Sequence, residues 1–132
     1  MVIDASVILK WFMEEDGSNK AKDIKNAHIS GASTITIPDI ALYEVGNALR
    51  YKLEFSAKEV NRCFEELYEL NLDIIGPYPE IVFLVTEIAR QNDITFYDAF
   101  YVALAKELGL QFITADERLY NRTRNLHFIN LL

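Results

Sequence analysis

A single cysteine, Cys63, stands in this chain of 132 residues, and one cysteine closes no intrachain disulfide. Val60, Phe64 and Leu67 surround it at helical spacing, so it reads as a buried thiol in a chain kept in a reducing compartment. Long apolar runs are missing too. No stretch approaches the roughly 18 uncharged apolar residues that a membrane span needs. The amino terminus meets a charge at Asp4, without a basic segment leading into an apolar one. The expectation is a soluble, cytoplasmic protein. Glycine and proline number only five and three, and they gather into no linker, so residues 1–132 read as one domain with room for a substantial core. Histidine supplies only His28 and His127, isolated and without metal-ligand spacing. No Walker loop, glycine-rich dinucleotide loop, Ser-His-Asp set or Cys-His pair is present.

An excess of positive charge is the last absence. Thirteen lysines and arginines face twenty aspartates and glutamates, a net charge of −7. Nucleic-acid binders ordinarily show a basic surface, because neutralising phosphates supplies most of their affinity. Either the chain leaves nucleic acid alone, or its acids cluster where metal ions neutralise them while local bases meet the phosphates.

What is present is an alternation of short strands and helices. Met1 to Ile3 reads as a strand, Ala5 to Met13 as a helix, and Ser18 to Asn26 as a polar helix. Thr34 to Ile37 is β-branched throughout and stops at Pro38, a strand with its terminator. Asp39 is placed to cap a helix from Ile40 to about Glu54. Ser56 with Glu59 opens another helix by a capping box, running to about Leu70. Leu72 to Ile75 is a third strand, Pro79 to Gln91 a helix, and Thr95 starts a helix that ends at Gly109. Gln111 to Thr114 is a fourth strand, Asp116 opens a short helix, and His127 to Ile129 is an expected fifth, edge strand. Such alternation implies βαβ crossovers and a parallel sheet covered on both faces, hence an α/β fold.

Four acids stand out from this frame. In an open parallel sheet, functional groups collect beyond the carboxyl ends of the strands. Asp4 directly follows the first strand and Asp116 follows the fourth, which places both on one edge. Each also precedes a helix, so capping explains either one equally well. Asp98 is the single charge in I-T-F-Y-D-A-F-Y-V-A-L-A, from Ile94 to Ala105. A helix so apolar is a buried one, and an unpaired buried carboxylate is costly. Its place three residues after Thr95 would suit the helix dipole, yet does not explain why so apolar a helix opens on a charge. Glu44 borders the apolar stripe of Ala41, Val45, Ala48 and Leu49, with no base at i+3 or i+4. Alone, it reads as an exposed glutamate. Gly46 nearby costs a helix roughly 1 kcal/mol against alanine and points to a close approach by another element. Phe96, Tyr97, Phe100 and Tyr101 read as core or interface rather than as a base-stacking platform.

Four carboxylates in one pocket would repel one another and raise their own pKa values. Hard divalent cations, Mg²⁺ or Mn²⁺, resolve that conflict through oxygen ligands. Such a site suits phosphodiester hydrolysis, in which one ion activates water and a second, about 3.5–4 Å away, stabilises the leaving oxygen. The segments V-I-D-A-S at Asp4, P-D-I-A-L-Y-E-V-G-N-A-L around Glu44, T-F-Y-D-A-F-Y-V-A-L-A at Asp98 and I-T-A-D-E-R-L-Y at Asp116 span almost the whole chain. Together and in this order they resemble the PIN-domain family, specifically its small stand-alone ribonuclease toxins of VapC type. The resemblance implies a three-layer fold, a parallel sheet of about five strands with helices on both faces. It implies metal-dependent endonuclease activity on RNA, often a homodimer, and inhibition by a small antitoxin inserted into the active-site groove. Carried over, Asp4, Glu44 and Asp98 would hold the principal ion, and Asp116 would complete the site and assist a second. Ser6 and Thr114 match the family's supporting polar positions and are placed to orient carboxylates. Arg50, Lys52, Arg118, Arg122 and Arg124 are candidates for phosphate contacts, or else solvated bases balancing an acidic surface.

Two other readings compete. A phosphoacceptor receiver domain is also a parallel α/β fold with acids at strand ends, but it wants an acidic pair after the first strand and a lysine after the last. Here Asp4 is followed by Ala5 and Ser6, and the tail from Phe128 to Leu132 has no lysine. A PIN-fold module that binds RNA or protein without catalysis is the second.

Overall fold

The computed structural model describes residues 1–52 and 55–132. Its elements are β1 (Val2–Ile3), α1 (Ala5–Leu9), α2 (Ser18–Ile29), β2 (Thr36–Pro38), α3 (Ile40–Arg50), α4 (Ala57–Glu69), β3 (Asp73–Ile75), α5 (Pro79–Asn92), α6 (Phe96–Leu108), β4 (Phe112–Thr114), α7 (Glu117–Thr123) and β5 (Ile129–Leu131). The five strands form one parallel sheet in the order β3-β2-β1-β4-β5. A receiver-type sheet has the order 2-1-3-4-5, so that reading falls on topology.

Right-handed crossovers translate this order into layers. The chain moves one way across the sheet through β1, β2 and β3, then jumps back past β1 to β4 and continues to β5. Helices α1 to α4 therefore belong to one face and α5 to α7 to the other. Packing agrees: α1 lies on α3 and α3 on α4, while α6 pairs with α5 and rests on β1, β2 and β4. The reversal falls between β1 and β4, the place where open sheets leave a crevice.

The core sits under α6, whose residues from Ala99 to Ala105 are all buried against Val2, Ile3, Ile37 and Phe112 at the sheet's centre. Thr95 caps this helix, accepting from the Asp98 amide at 3.0 Å, and Gly109 ends it with φ +64°. Ser56 and Glu59 form the expected capping box on α4. Cys63 is buried, and burial raises its thiol pKa. Gly46 does mark a close approach, since a Cβ there would stand 3.1 Å from Cζ of Phe64 on α4.

Several boundaries differ from expectation. The first helix stops at Leu9, and the next three amides, Lys10 to Phe12, bond three residues back in a tightened turn. The second runs three residues further, to Ile29. The third ends at Arg50; Leu53 and Glu54, at the expected end, lie outside the described residues. Asp39 makes no side-chain cap, because its helical backbone (φ −59°, ψ −28°) lacks the extended turn that aims a cap oxygen at the following amides. Pro38 belongs to β2 rather than ending it: opposite Ile75 of β3 the ladder bond is made by its neighbour, Asp39 N–H on Ile75 O at 3.0 Å, so that pairing does not call on the missing N–H. The edge strand begins at Ile129, because Leu126 to Ile129 is closed into a turn by Ile129 N–H on Leu126 O at 3.1 Å.

Candidate active site

The crevice at the carboxyl ends of β1 and β4 is an open cleft of about 340 Å³, lined by all four predicted acids together with Ser6 and Tyr101. Each acid arrives on a different element. Asp4 leaves β1 and caps α1, with Oδ1 accepting from the Val7 amide at 3.2 Å. It is only 5 % exposed. Two hydroxyls hold its carboxylate: Ser6 Oγ donates to Oδ1 and Thr114 Oγ1 to Oδ2, each at 2.5 Å. The same two oxygens accept from the next segment of chain, Ser6 Oγ from the Ala115 amide (2.8 Å) and Thr114 Oγ1 from the Asp116 amide (2.9 Å). A symmetric pair of bridges thus ties the end of β1 to the end of β4 across the switch point. Burial pushes the Asp4 pKa up from 3.8 to about 6, with the Ser6, Thr114 and Val7 hydrogen bonds opposing and the Glu44 charge adding to the rise.

Asp116 caps α7, its Oδ1 accepting from the Arg118 amide (2.8 Å) and the Leu119 amide (3.0 Å), and it is exposed. For Asp4 and Asp116 alike, capping and a place in the cleft are compatible, since a cap fixes the carboxylate while leaving lone pairs over. Asp98 is half-buried in the first turn of α6, and its carboxylate has no hydrogen-bond or ion-pair partner among the described residues. Glu44 is half-buried rather than exposed, and accepts at Oε2 from the Tyr101 hydroxyl. Desolvation raises its pKa, the Tyr101 bond opposes, and the Asp98 charge adds.

The donor set is carboxylate and hydroxyl oxygen without thiol or imidazole, which is what hard divalent cations accept. Among the described residues no three acids stand close enough to ligate one ion directly. An ion in this open cleft would be met partly through water, the habit of Mg²⁺.

Tyr101 and Asn47 also line the cleft, and sequence reasoning passed over both. A signal existed: Tyr101 lies three residues after Asp98 and Asn47 three after Glu44, on the same helix faces. Tyr101 and Phe100 are buried as expected of core residues, but Phe96 and Tyr97 are exposed. Among the candidate bases, Arg118 and Arg122 line a smaller hollow that shares Asp98 and Asp116 with the cleft. Arg122 is held there by Asp93, through its backbone carbonyl and its carboxylate. Arg50 lies 4.8 Å from the Tyr51 ring centroid, and Arg50, Lys52 and Arg124 are exposed and not among the described residues lining either hollow.

Known proteins share both sequence and shape with this chain. The family model described as PIN domain matches residues 1–125. A protein named Ribonuclease VapC3, from Pyrobaculum aerophilum, is 31 % identical over 123 residues, covering 90 % of this chain and 91 % of that protein. A toxin-antitoxin complex from Klebsiella pneumoniae contains a chain that superposes with a TM-score of 0.71 at 16 % identity, over 98 % of this chain and 94 % of the other. Mycobacterium tuberculosis VapC20, described as a sarcin-ricin loop cleaving toxin, gives 0.68 at 14 % identity, over 91 % and 92 %.

Proposed function

The chain belongs to the PIN-domain family, and on that premise we propose that it is a metal-dependent endoribonuclease hydrolysing RNA phosphodiester bonds, the toxin of a toxin–antitoxin pair. The observation that carries the reading is the cleft itself, where Asp4, Glu44, Asp98 and Asp116, from four separate elements, line one crevice at the switch point of the sheet. The name of the relative, a ribonuclease of VapC type, supports the reaction, and the toxin-antitoxin complex supports a small protein antitoxin as partner. The cofactor in this reading is Mg²⁺ or Mn²⁺, the unit is a single domain over residues 1–132, and the site of action is the cytoplasm. No helix among the described residues is long and apolar enough to cross a membrane. A homodimer is part of the reading, and the exposed Phe96 and Tyr97 offer a surface for a second copy.

Asp4, Glu44 and Asp98 would hold the ion, directly or through water, with Asp116 at the rim beside them. Once bound, the ion supplies the positive charge that the acids lack and that a reacting phosphate requires. The protein's own part is positioning. Ser6 and Thr114 fix the plane of the Asp4 carboxylate, so its orientation does not depend on a flexible side chain. Asp98 is set by the first turn of a buried helix, which leaves little freedom to its backbone. Arg118, in the adjoining hollow, stands ready for a phosphate next to the one being cleaved; Arg122 would first have to leave Asp93.

Cleavage of labelled single-stranded RNA by the purified protein with Mg²⁺, Mn²⁺ or EDTA, beside Asp98→Asn, tests this. The expected result is cleavage that needs metal and disappears in the folded variant. Equal cleavage by both proteins would place the activity elsewhere. RNA binding without metal and without turnover would favour a non-catalytic module, for which the wide spacing of the acids is the one supporting observation.

A further inference from the structure

Tyr101 has a hydroxyl that packing does not require. Its ring is 1 % exposed and stacks on Phe112, with centroids 5.9 Å apart and planes 8° from parallel. Phenylalanine would make the same stack. A buried hydroxyl is costly unless paired, and a neutral partner would satisfy it at least cost. Instead it donates to a carboxylate, Glu44 Oε2, on α3, a helix that belongs to the opposite face of the sheet. Both groups line the cleft, and Asp98 stands three residues before Tyr101 on the same helix. Phe112, under the ring, is two residues from Thr114, which holds Asp4. One tyrosine therefore bonds one of the four acids and shares its helix with a second.

We propose that Tyr101 is a positioning residue, whose hydroxyl holds the Glu44 carboxylate in the orientation from which it meets the metal; this rests on the metal-dependent reading of the cleft. Asp4 has two hydroxyls to fix it and Glu44 has this one. Oε1 of Glu44 has no partner among the described residues, so the bond to Oε2 leaves one oxygen over for an ion or its water. Without that bond the glutamate is a long side chain free to turn away, and the ion meets a site whose third ligand has to be ordered on binding.

The test uses the full chain stripped of metal and titrated with Mn²⁺, reading the free-ion signal by electron paramagnetic resonance. Tyr101→Phe should keep its far-ultraviolet dichroism and a cooperative unfolding transition, and bind Mn²⁺ about 10–100-fold more weakly, the usual cost of losing a group behind a metal ligand. Activity at saturating Mn²⁺ should return close to the wild-type level. Glu44→Gln should weaken binding as well, and the double variant should be no weaker than Glu44→Gln alone, because both changes remove one function. Unchanged affinity in Tyr101→Phe, or fully additive losses in the double variant, would overturn the positioning role while leaving the metal site standing. A wild-type protein that binds no Mn²⁺ would overturn both. Should Tyr101→Phe fail to fold, meta-fluorotyrosine in place of Tyr101 keeps the hydroxyl: its fluorine resonance should shift as Mg²⁺ is added, and not in Glu44→Gln. A resonance indifferent to Mg²⁺ in the wild-type background would refute the proposal.

Discussion

Burying the Asp4 carboxylate links the fold to pH. Its pKa in the folded chain, about 6, lies above the ordinary 3.8, mainly because burial disfavours the charge. Between those values the folded state holds a proton that the unfolded chain has released, so stability falls as pH rises through that window and is lowest above about 6. The shift corresponds to about 3 kcal/mol at most, at 1.36 kcal/mol per unit. Asp4→Asn, which keeps the shape and loses the charge, should therefore melt at a higher temperature than wild type at pH 8 in EDTA, with the gain shrinking toward pH 4. An Asp4→Asn protein no more stable than wild type at pH 8 would mean that the hydroxyl bond lost to the amide nitrogen, which cannot accept it, offsets the relief of burying a charge. Mg²⁺ should narrow the difference, since it stabilises only the protein that binds it. The position of Asp4 after a strand was legible in the sequence. Its two hydroxyl partners were legible as residue types; Ser6 is a near neighbour, two residues on, but the Thr114 bond joins residues 110 apart in the chain and required the sheet.

At the scale of elements, His28 shows how the outer helices are attached. Its Nδ1 accepts from the Ile35 amide at 3.2 Å, so Nε2 carries the proton and donates to the Leu70 carbonyl at 2.8 Å. One neutral ring thus joins α2, the approach to β2 and the end of α4. His28→Leu should fill the space and leave both backbone groups without a partner, costing about 1–3 kcal/mol. Urea unfolding with an unchanged slope and a lower midpoint is the expected observation; an unchanged midpoint would mean that water replaces both bonds. In the sequence His28 stands isolated, and only the structure shows which two backbone groups it joins. Helices with strong local signals came through well: the capping box at Ser56, the Thr95 cap and the Gly109 stop all form as their chemistry dictates. Asp39 has the right chemistry and fails, because tertiary placement gives its backbone a helical turn before the side chain can cap.

For the molecule as a whole, net charge is a poor guide to where the charges act. At −7 the chain should repel RNA at long range, yet four acids collect in one cleft where an ion can neutralise them, and Arg118 stands beside it. Arg118→Ala should weaken single-stranded RNA binding and flatten its salt dependence by about 0.7 in log–log slope, the share of one phosphate contact. Arg122→Ala should change the slope less, because Asp93 already occupies that guanidinium. Equal effects of the two would mean that the Arg122–Asp93 pair opens for RNA.

Strand and helix alternation, the α/β class, the edge on which Asp4 and Asp116 lie and the order of the four acid segments were all set by the sequence alone. These depend on near neighbours along the chain: side-chain period, caps, turn residues and the carboxyl end of each strand. Strand order, the face each helix covers and the pairing of Tyr101 with Glu44 were decided only by the tertiary structure. Hydroxyl and carboxylate are 57 residues apart, on helices whose local patterns say nothing of each other. Their meeting follows from the crossover past β1, which brings α6 over the strands whose ends frame the cleft. A glutamate that local pattern assigns to solvent becomes a held, half-buried group because a helix from the other layer arrives beside it.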